Sequence, residues 1–179
     1  MVFAEINNKM TSIAYATSHT LDMSMNTVDS STKDNGNGMW TNNEAGLMSW
    51  TMQTDNLVSD TSENGISTDD LMTVYLQRKK VKVAFALQKD ITDYEAKIGE
   101  EFNVPKGGWT PGENYYSGEA LITSLNVTAS NDGNATMSAT FTGCGNILKT
   151  GTGLQNAAAA AALANSQGTP VATVAAAKK

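Results

Sequence analysis

Residues 21–29, LDMSMNTVD, and residues 46–57, GLMSWTMQTDNL, are two runs of alternating polarity separated by SSTKDNGNGMWTNNEA at 30–45. In the first run Leu21, Met23 and Met25 alternate with Asp22, Ser24 and Asn26. In the second, Met48, Trp50 and Met52 alternate with Ser49, Thr51 and Gln53. A period of two belongs to a strand with one apolar and one polar face, so both runs read as strands, and Met48, Trp50 and Met52 of the second belong in a sandwich or barrel core. The intervening segment is polar and aperiodic, and a loop of that size in a compact domain is usually functional or disordered. Residues 27–46 are therefore read as an arm that docks on another copy.

On the N-terminal side, residues 1–10 (MVFAEINNKM) read as an arm, and Ile13 and Tyr15 as a strand run pairing with the one at 21–26. Downstream, Ser67-Thr68-Asp69-Asp70 reads as a helix start, with Ser67 as N-cap and two carboxylates at the positive end of the dipole. The helix is expected over 67–79, with a stripe of Leu71, Val74 and Tyr75 and positive charge from Arg78, Lys79 and Lys80 at its carbonyl end. Val81, Val83, Phe85 and Leu87 then alternate as a half-buried strand. Residues 89–114 are charged and end in Pro and Gly, which reads as a surface insertion with a short helical turn near 94–98. Residues 121–127 and 135–141 bracket Ser130-Asn131-Asp132-Gly133-Asn134 as a hairpin, Asp-Gly supplying the positive-φ residue of a tight loop. Past Lys149 an Ala-rich, low-complexity tail runs over 150–179.

Composition sets bounds. The chain has 179 residues, 40% of them hydrophobic, enough for one domain with a core plus tails. Acids outnumber bases 18 to 12, for a net charge of −6 and a pI near 4.7. That balance argues against clamping nucleic acid by phosphate neutralisation. Cys144 is the single cysteine, which excludes an intramolecular disulfide and a zinc site built from cysteine pairs. No charged start followed by an apolar run, and no apolar stretch of about 18 residues, points to export or to membrane insertion; synthesis and assembly in the cytoplasm are expected. The sequons at Asn126 and Asn134 are then without a role.

The candidate chemical sites resolve into structural ones. His19 is the sole histidine and has no nucleophile motif beside it, so it reads as a strand residue without chemistry. Cys144, between Gly143 and Gly145, has no positive neighbour to lower its pKa and reads as a packing residue. The run Asp34-Asn35-Gly36-Asn37-Gly38 has the composition of a calcium loop, but Ala45 stands at the twelfth position where a bidentate Glu is needed. No phosphate-binding glycine loop accompanies Arg78 to Lys82. Neither a catalytic site nor a cofactor or metal site is expected.

The central stretch carries a resemblance. Leu21, Ser24, Thr27, Val28, Asp29 to Asp34, Gly38, Trp40, Gly46, Leu47, Ser49, Trp50 and Asp55-Asn56-Leu57 resemble the core signature of the major tail, or tail tube, proteins of long-tailed bacteriophages. Tyr116 to Leu125, then Ser138 to Gly143 with Gly145, resemble the closing strands of that family in order and spacing, so the likeness spans roughly residues 10–149.

The resemblance implies a mainly β tail-tube-like sandwich or barrel with one flanking α-helix, assembling into hexameric rings that stack as the conduit for genome ejection. In such a ring Asp22, Ser24, Asn26, Thr51, Gln53, Thr136, Ser138 and Thr140 are the candidates for the lumen lining. None is basic, so passing double-stranded DNA would not be held. Lys33, Asp34, Met39 and Trp40 are the candidates for inter-ring contact, with Met39 and Trp40 inserting into the next ring as the arm orders on stacking. The implied partners are other copies of the chain, a tail tip or baseplate initiator, a tape measure protein and a tail terminator. The implied location is the virion tail, after assembly in the host cytoplasm. Two other readings stay open: an inner tube subunit of a contractile injection system, and an Ig-like or lectin-like binding module that remains monomeric.

Overall fold

The computed structural model describes residues 1–31, 40–59, 61–94 and 104–151. It is mainly β with one α-helix among these residues. Seven strands, β1 (Val2–Ile6), β2 (Lys9–Ser12), β3 (Ala16–Asp29), β4 (Asn43–Leu57), β5 (Val81–Phe85), β6 (Tyr115–Thr128) and β7 (Thr136–Thr150), make one antiparallel sheet in the order β2-β1-β5-β6-β7-β4-β3. The helix, α1 (Thr68–Gln77), lies between β4 and β5 in the chain and packs on β6.

One sheet supplies both layers because β6 and β7 pass from one to the other. The lower half of β7 pairs with β4 (Thr51 opposite Thr142, Leu57 opposite Thr136), whereas its upper half pairs only with β6 (Tyr115 opposite Thr150). Register shifts between Gly118 and Ala120 and between Ile122 and Ser124 mark where the pair breaks its ladder; such bulges bend a strand and increase its twist. Strand β1 thereby comes into contact with β4. Val2, Ala4, Val81 and Val83 from one layer meet Trp50, Met52, Met137 and Phe141 from the other in a single core, which Leu71 of α1 joins.

The N-terminal residues are not an arm. Val2, Phe3 and Ala4 are fully buried, and β1 pairs with both β2 and β5. Asn7 and Asn8, both at positive φ (54° and 62°), connect β1 to β2 as a two-residue hairpin loop, the geometry that Asn favours. Ile13 and Tyr15 do not form the strand partner of 21–26 either. Ile13 makes an isolated bridge to Ile66, and Tyr15 sits at positive φ in a turn.

The segment 89–114 is not only a surface insertion. Ile91 and Trp109 are buried with Phe3, Ala84 and Ala86 in a second apolar cluster. Trp109 is tied to β2 by two bonds: its N–H donates to Ser12 Oγ at 3.0 Å, and its carbonyl accepts from the Ser12 N–H at 2.9 Å. The turn read near 94–98 falls almost wholly outside the described residues, as does the Ala-rich tail from 152 onward.

Helix α1 begins with a capping box: Ser67 Oγ accepts from the Asp70 N–H at 3.2 Å, and the Asp70 carboxylate accepts from the Ser67 N–H at 3.1 Å. It ends on Arg78 in the left-handed conformation.

Candidate functional site, an assembly surface

Strand alternation, carried across the registers, sorts the lower sheet into two faces. Asp22 opposes Thr51, Thr20 opposes Gln53, and Ser24 opposes Ser49, with Oγ atoms 2.8 Å apart. Across the next ladder Thr51, Gln53 and Asp55 oppose Thr142, Thr140 and Ser138, and these meet Ser124 and Asn126 on β6. Directly opposed residues share a face. Asp22, Ser24, Thr51, Gln53, Thr136, Ser138 and Thr140 therefore stand on one continuous polar face across β3, β4, β7 and β6. Asn26 extends the same alternation on β3 at a β-bulge, where Gly46 and Leu47 together oppose it. Asp22, Glu44 and Asp55 are acids on this face, Asp55 accepting from Ser18 Oγ at 3.1 Å. Among these paired positions none is Lys or Arg.

The opposite face is apolar and only partly covered. Leu21, Met23 and Met25 oppose Met52, Trp50 and Met48. Met52 and Trp50 are buried, yet Met23 is 55% exposed, Met25 49% and Met48 72%. Of the residues expected in the core, Trp50 and Met52 are buried there, whereas Met48 is exposed among the described residues. Beyond Thr51 the β3–β4 hairpin leaves β7 and, among the described residues, continues as two strands paired only with each other.

Trp50 sets the point of departure. Its indole N–H donates to the Gly145 carbonyl at 2.9 Å, and the ring lies against β6 and β7 where Gly118 and Gly143 present no side chain. A Cβ at Gly118 would stand 2.6 Å from Trp50 Cζ2, and one at Gly143 would overlap the indole.

Among the described residues the layer β6-β7-β4-β3 is unpaired along both of its outer edges. Among the described residues β3 has no strand partner on the side away from β4 over Ala16–Asp29, and β6 beyond Ala120 has none on the side away from β7. The layer between these edges contains four antiparallel strands, an even number, so its edge strands run in opposite directions. Such an edge is a template for another chain, and the next copy's β3 set beside β6 would be antiparallel to it.

Of the arm residues, Trp40 is described and is 83% exposed; Lys33, Asp34 and Met39 lie outside the described residues. The strands take up both ends of the segment read as arm, since β3 runs to Asp29 and β4 starts at Asn43. Ser31 Oγ accepts from the Asn42 N–H at 2.8 Å at the mouth of the connection. The Ser31 N–H donates to Asp29 Oδ1 at 2.8 Å, and its hydrogen bonds hold the Asp29 carboxyl below the usual carboxylate range.

His19 lies on β3 opposite Thr54, both ring nitrogens enclosed and without a hydrogen-bond partner. Burial, with the positive Met1 amino group adding to it, lowers its pKa to about 4. The Cys144 thiol faces the Thr142 carbonyl at 3.8 Å. No cluster of His, Cys, Asp and Glu suited to a metal occurs among the described residues.

Comparison with known proteins agrees with this arrangement. The chain is similar in fold to the tail of an empty gene transfer agent particle refined with C6 helical symmetry (TM-score 0.63, 14% identity, 83% of this chain and 93% of that one). It is also similar to a chain in the virion of a native gene transfer agent particle (TM-score 0.59, 14% identity, 83% and 95%). A third similarity is to the SPP1 tail tube determined by solid-state NMR and cryo-electron microscopy (TM-score 0.54, 13% identity, 84% and 75%). No curated protein matches the chain by sequence. Residues 2–149 match the phage tail tube protein family, and over that span the chain belongs to this family, a structural and non-enzymatic component of the virion tail.

Proposed function

We propose that six copies close into a ring by joining the free β6 edge of each to the β3 edge of the next, that rings stack into a tube, and that the polar face lines a lumen for double-stranded DNA. The observation that carries this reading is the polar face without Lys or Arg, bounded by two open edges of opposite direction. Closure removes both edges at once. Six copies of a four-stranded layer give a barrel of about 24 strands, beyond the roughly 16–18 at which barrels already leave an aqueous channel. The C6 symmetry of the gene transfer agent tail supports a ring of six.

The apolar face carries the second layer and α1, so it turns outward, and the polar face turns in. DNA carries about one charge per 1.7 Å of duplex, so a basic lining would bind it at many points. A lining of Ser24, Asn26, Thr51, Gln53, Thr136, Ser138 and Thr140 with the carboxylate of Asp22 offers it no such site.

Rings stack through head-to-tail contacts, which propagate as a filament. Trp40, with Lys33, Asp34 and Met39, makes the inter-ring contact in this reading, and the exposure of the Trp40 indole supports it. A tip or baseplate initiator, a tape measure protein and a terminator would start, measure and end the tube, assembled in the host cytoplasm. No helix among the described residues is long and apolar enough to cross a membrane.

Negative-stain electron microscopy of the purified protein, alone and with its initiator complex, tests the reading. Hollow tubes of sixfold rings are expected. A chain that stays monomeric at high concentration with the initiator present overturns it.

A further inference from the structure

Among the described residues the methionine stripe Met23, Met25 and Met48 is an exposed apolar sheet face. The β3–β4 hairpin that bears it is acidic. Its described residues, 16–29 and 43–57, include Asp22, Asp29, Glu44 and Asp55 and no Lys or Arg. Helix α1 shows the converse. Its inner side buries Leu71, while Tyr75 and Leu76 are exposed, Leu76 by 71%. Its C-terminal end leads into Arg78, Lys79 and Lys80. Lys80 pairs with Glu119 at 3.7 Å, and among the described residues neither Arg78 nor Lys79 has an ion-pair partner.

These two surfaces lie on the same side of the sheet and at the same height along the strands. Leu71 belongs to the apolar cluster that contains Trp50 and Met52, so α1 occupies the side toward which the stripe points. Val81, three residues past Arg78, pairs with Ala120, and Ala120 with Gly143. Gly143 lies against Trp50, and Trp50 pairs with Met23. The end of α1 is thus level with the foot of the stripe, but across the layer from it.

If the β6 edge meets the next copy's β3, as the ring reading on which this inference rests requires, the two surfaces become neighbours. Strands in a sheet are about 4.8 Å apart, and a helix with its side chains is about 10–12 Å across. A helix seated on β6 must then overhang the adjoining strands.

We propose that the exposed side of α1, Tyr75 and Leu76, covers the methionine stripe of the adjacent copy, with Arg78 and Lys79 facing that copy's acidic hairpin. The occupant is a second copy, identified by apolar surface on both sides and by opposite charge. Methionine suits such a seat because its flexible, polarizable side chain fits an irregular partner. The contact is heterologous, one surface of each copy meeting a different surface of the next, as a ring demands.

Disulfide trapping tests it. In a Cys144→Ser background, Leu76→Cys and Met23→Cys are combined and assembled tubes are oxidised. A ladder of covalent oligomers ending at the closed ring, absent from either single variant, is the expected result. Tubes that form normally but yield no ladder overturn the inference and leave the ring reading standing. Wild-type protein that never forms tubes overturns both. As a second measurement, Arg78→Glu with Lys79→Glu should slow assembly at least tenfold at low salt, with the difference narrowing as salt screens the charges. An unchanged rate counts against the contact.

Discussion

The indole of Trp50 occupies the space that a side chain at Gly143 would fill. The two residues are far apart in the chain, yet their fit fixes where the β3–β4 hairpin parts from β7, because Trp50 is also anchored to the Gly145 carbonyl. Gly143→Ala should displace the ring. A cost of about 1–3 kcal/mol, typical of overpacking a well-filled core, is expected in denaturant unfolding followed by tryptophan fluorescence. Stability equal to wild type would show that the indole moves aside freely.

The polar face makes a prediction about transport, separate from folding. Asp22→Lys and Ser24→Lys both lie in the exposed middle of β3, where substitutions usually change stability by no more than about 0.5 kcal/mol. Tubes should form normally, and DNA ejection from particles carrying them should slow, because each ring would present several cations to the phosphates. Ejection at the normal rate would remove the lumen assignment from this face.

Trp40 separates stacking from folding. Since its side chain is almost fully exposed, Trp40→Ala should leave the melting temperature of the monomer within about 2 °C while reducing tube length and yield. Tubes of normal length would exclude Trp40 from the inter-ring contact.

The enclosed imidazole of His19 makes stability depend on pH. Its pKa falls from 6.5 to about 4 on folding through burial, so the unfolded chain binds the proton more readily. The neutral ring leaves stability intact above about pH 6.5, and stability is lost progressively as the pH falls from there toward about 4. His19→Leu should flatten that part of the pH profile in urea unfolding. An identical profile in the variant would place the sensitivity elsewhere.

The period of two in residues 21–26 and 48–53 was enough to read which side chains share a face, and the register agrees at each pair from Leu21–Met52 to Met25–Met48. It was not enough to read what covers that face. Alternation reports a difference between sides, and among the described residues Met23, Met25 and Met48 are exposed on the apolar one. The N-terminal residues were misread because β1 is only five residues long and apolar nearly throughout. Its hairpin signal was nevertheless present in Asn7-Asn8, a pair that tolerates the positive φ of a two-residue loop. Trp109 had no local signal. It sits in a Pro- and Gly-rich stretch, and its burial depends on Ser12 and Phe3, distant residues brought near by β1 and β2.

The even number of strands between the open edges has a consequence for size. Because the first and last strands of the layer run oppositely, the proposed β6-to-β3 seam would satisfy hydrogen bonding whether five, six or seven copies joined. Backbone pairing therefore cannot count subunits. In the proposed ring the bore would instead follow from the wedge angle between adjacent copies, adjustable by bulk on the apolar side of the layer without touching the polar face.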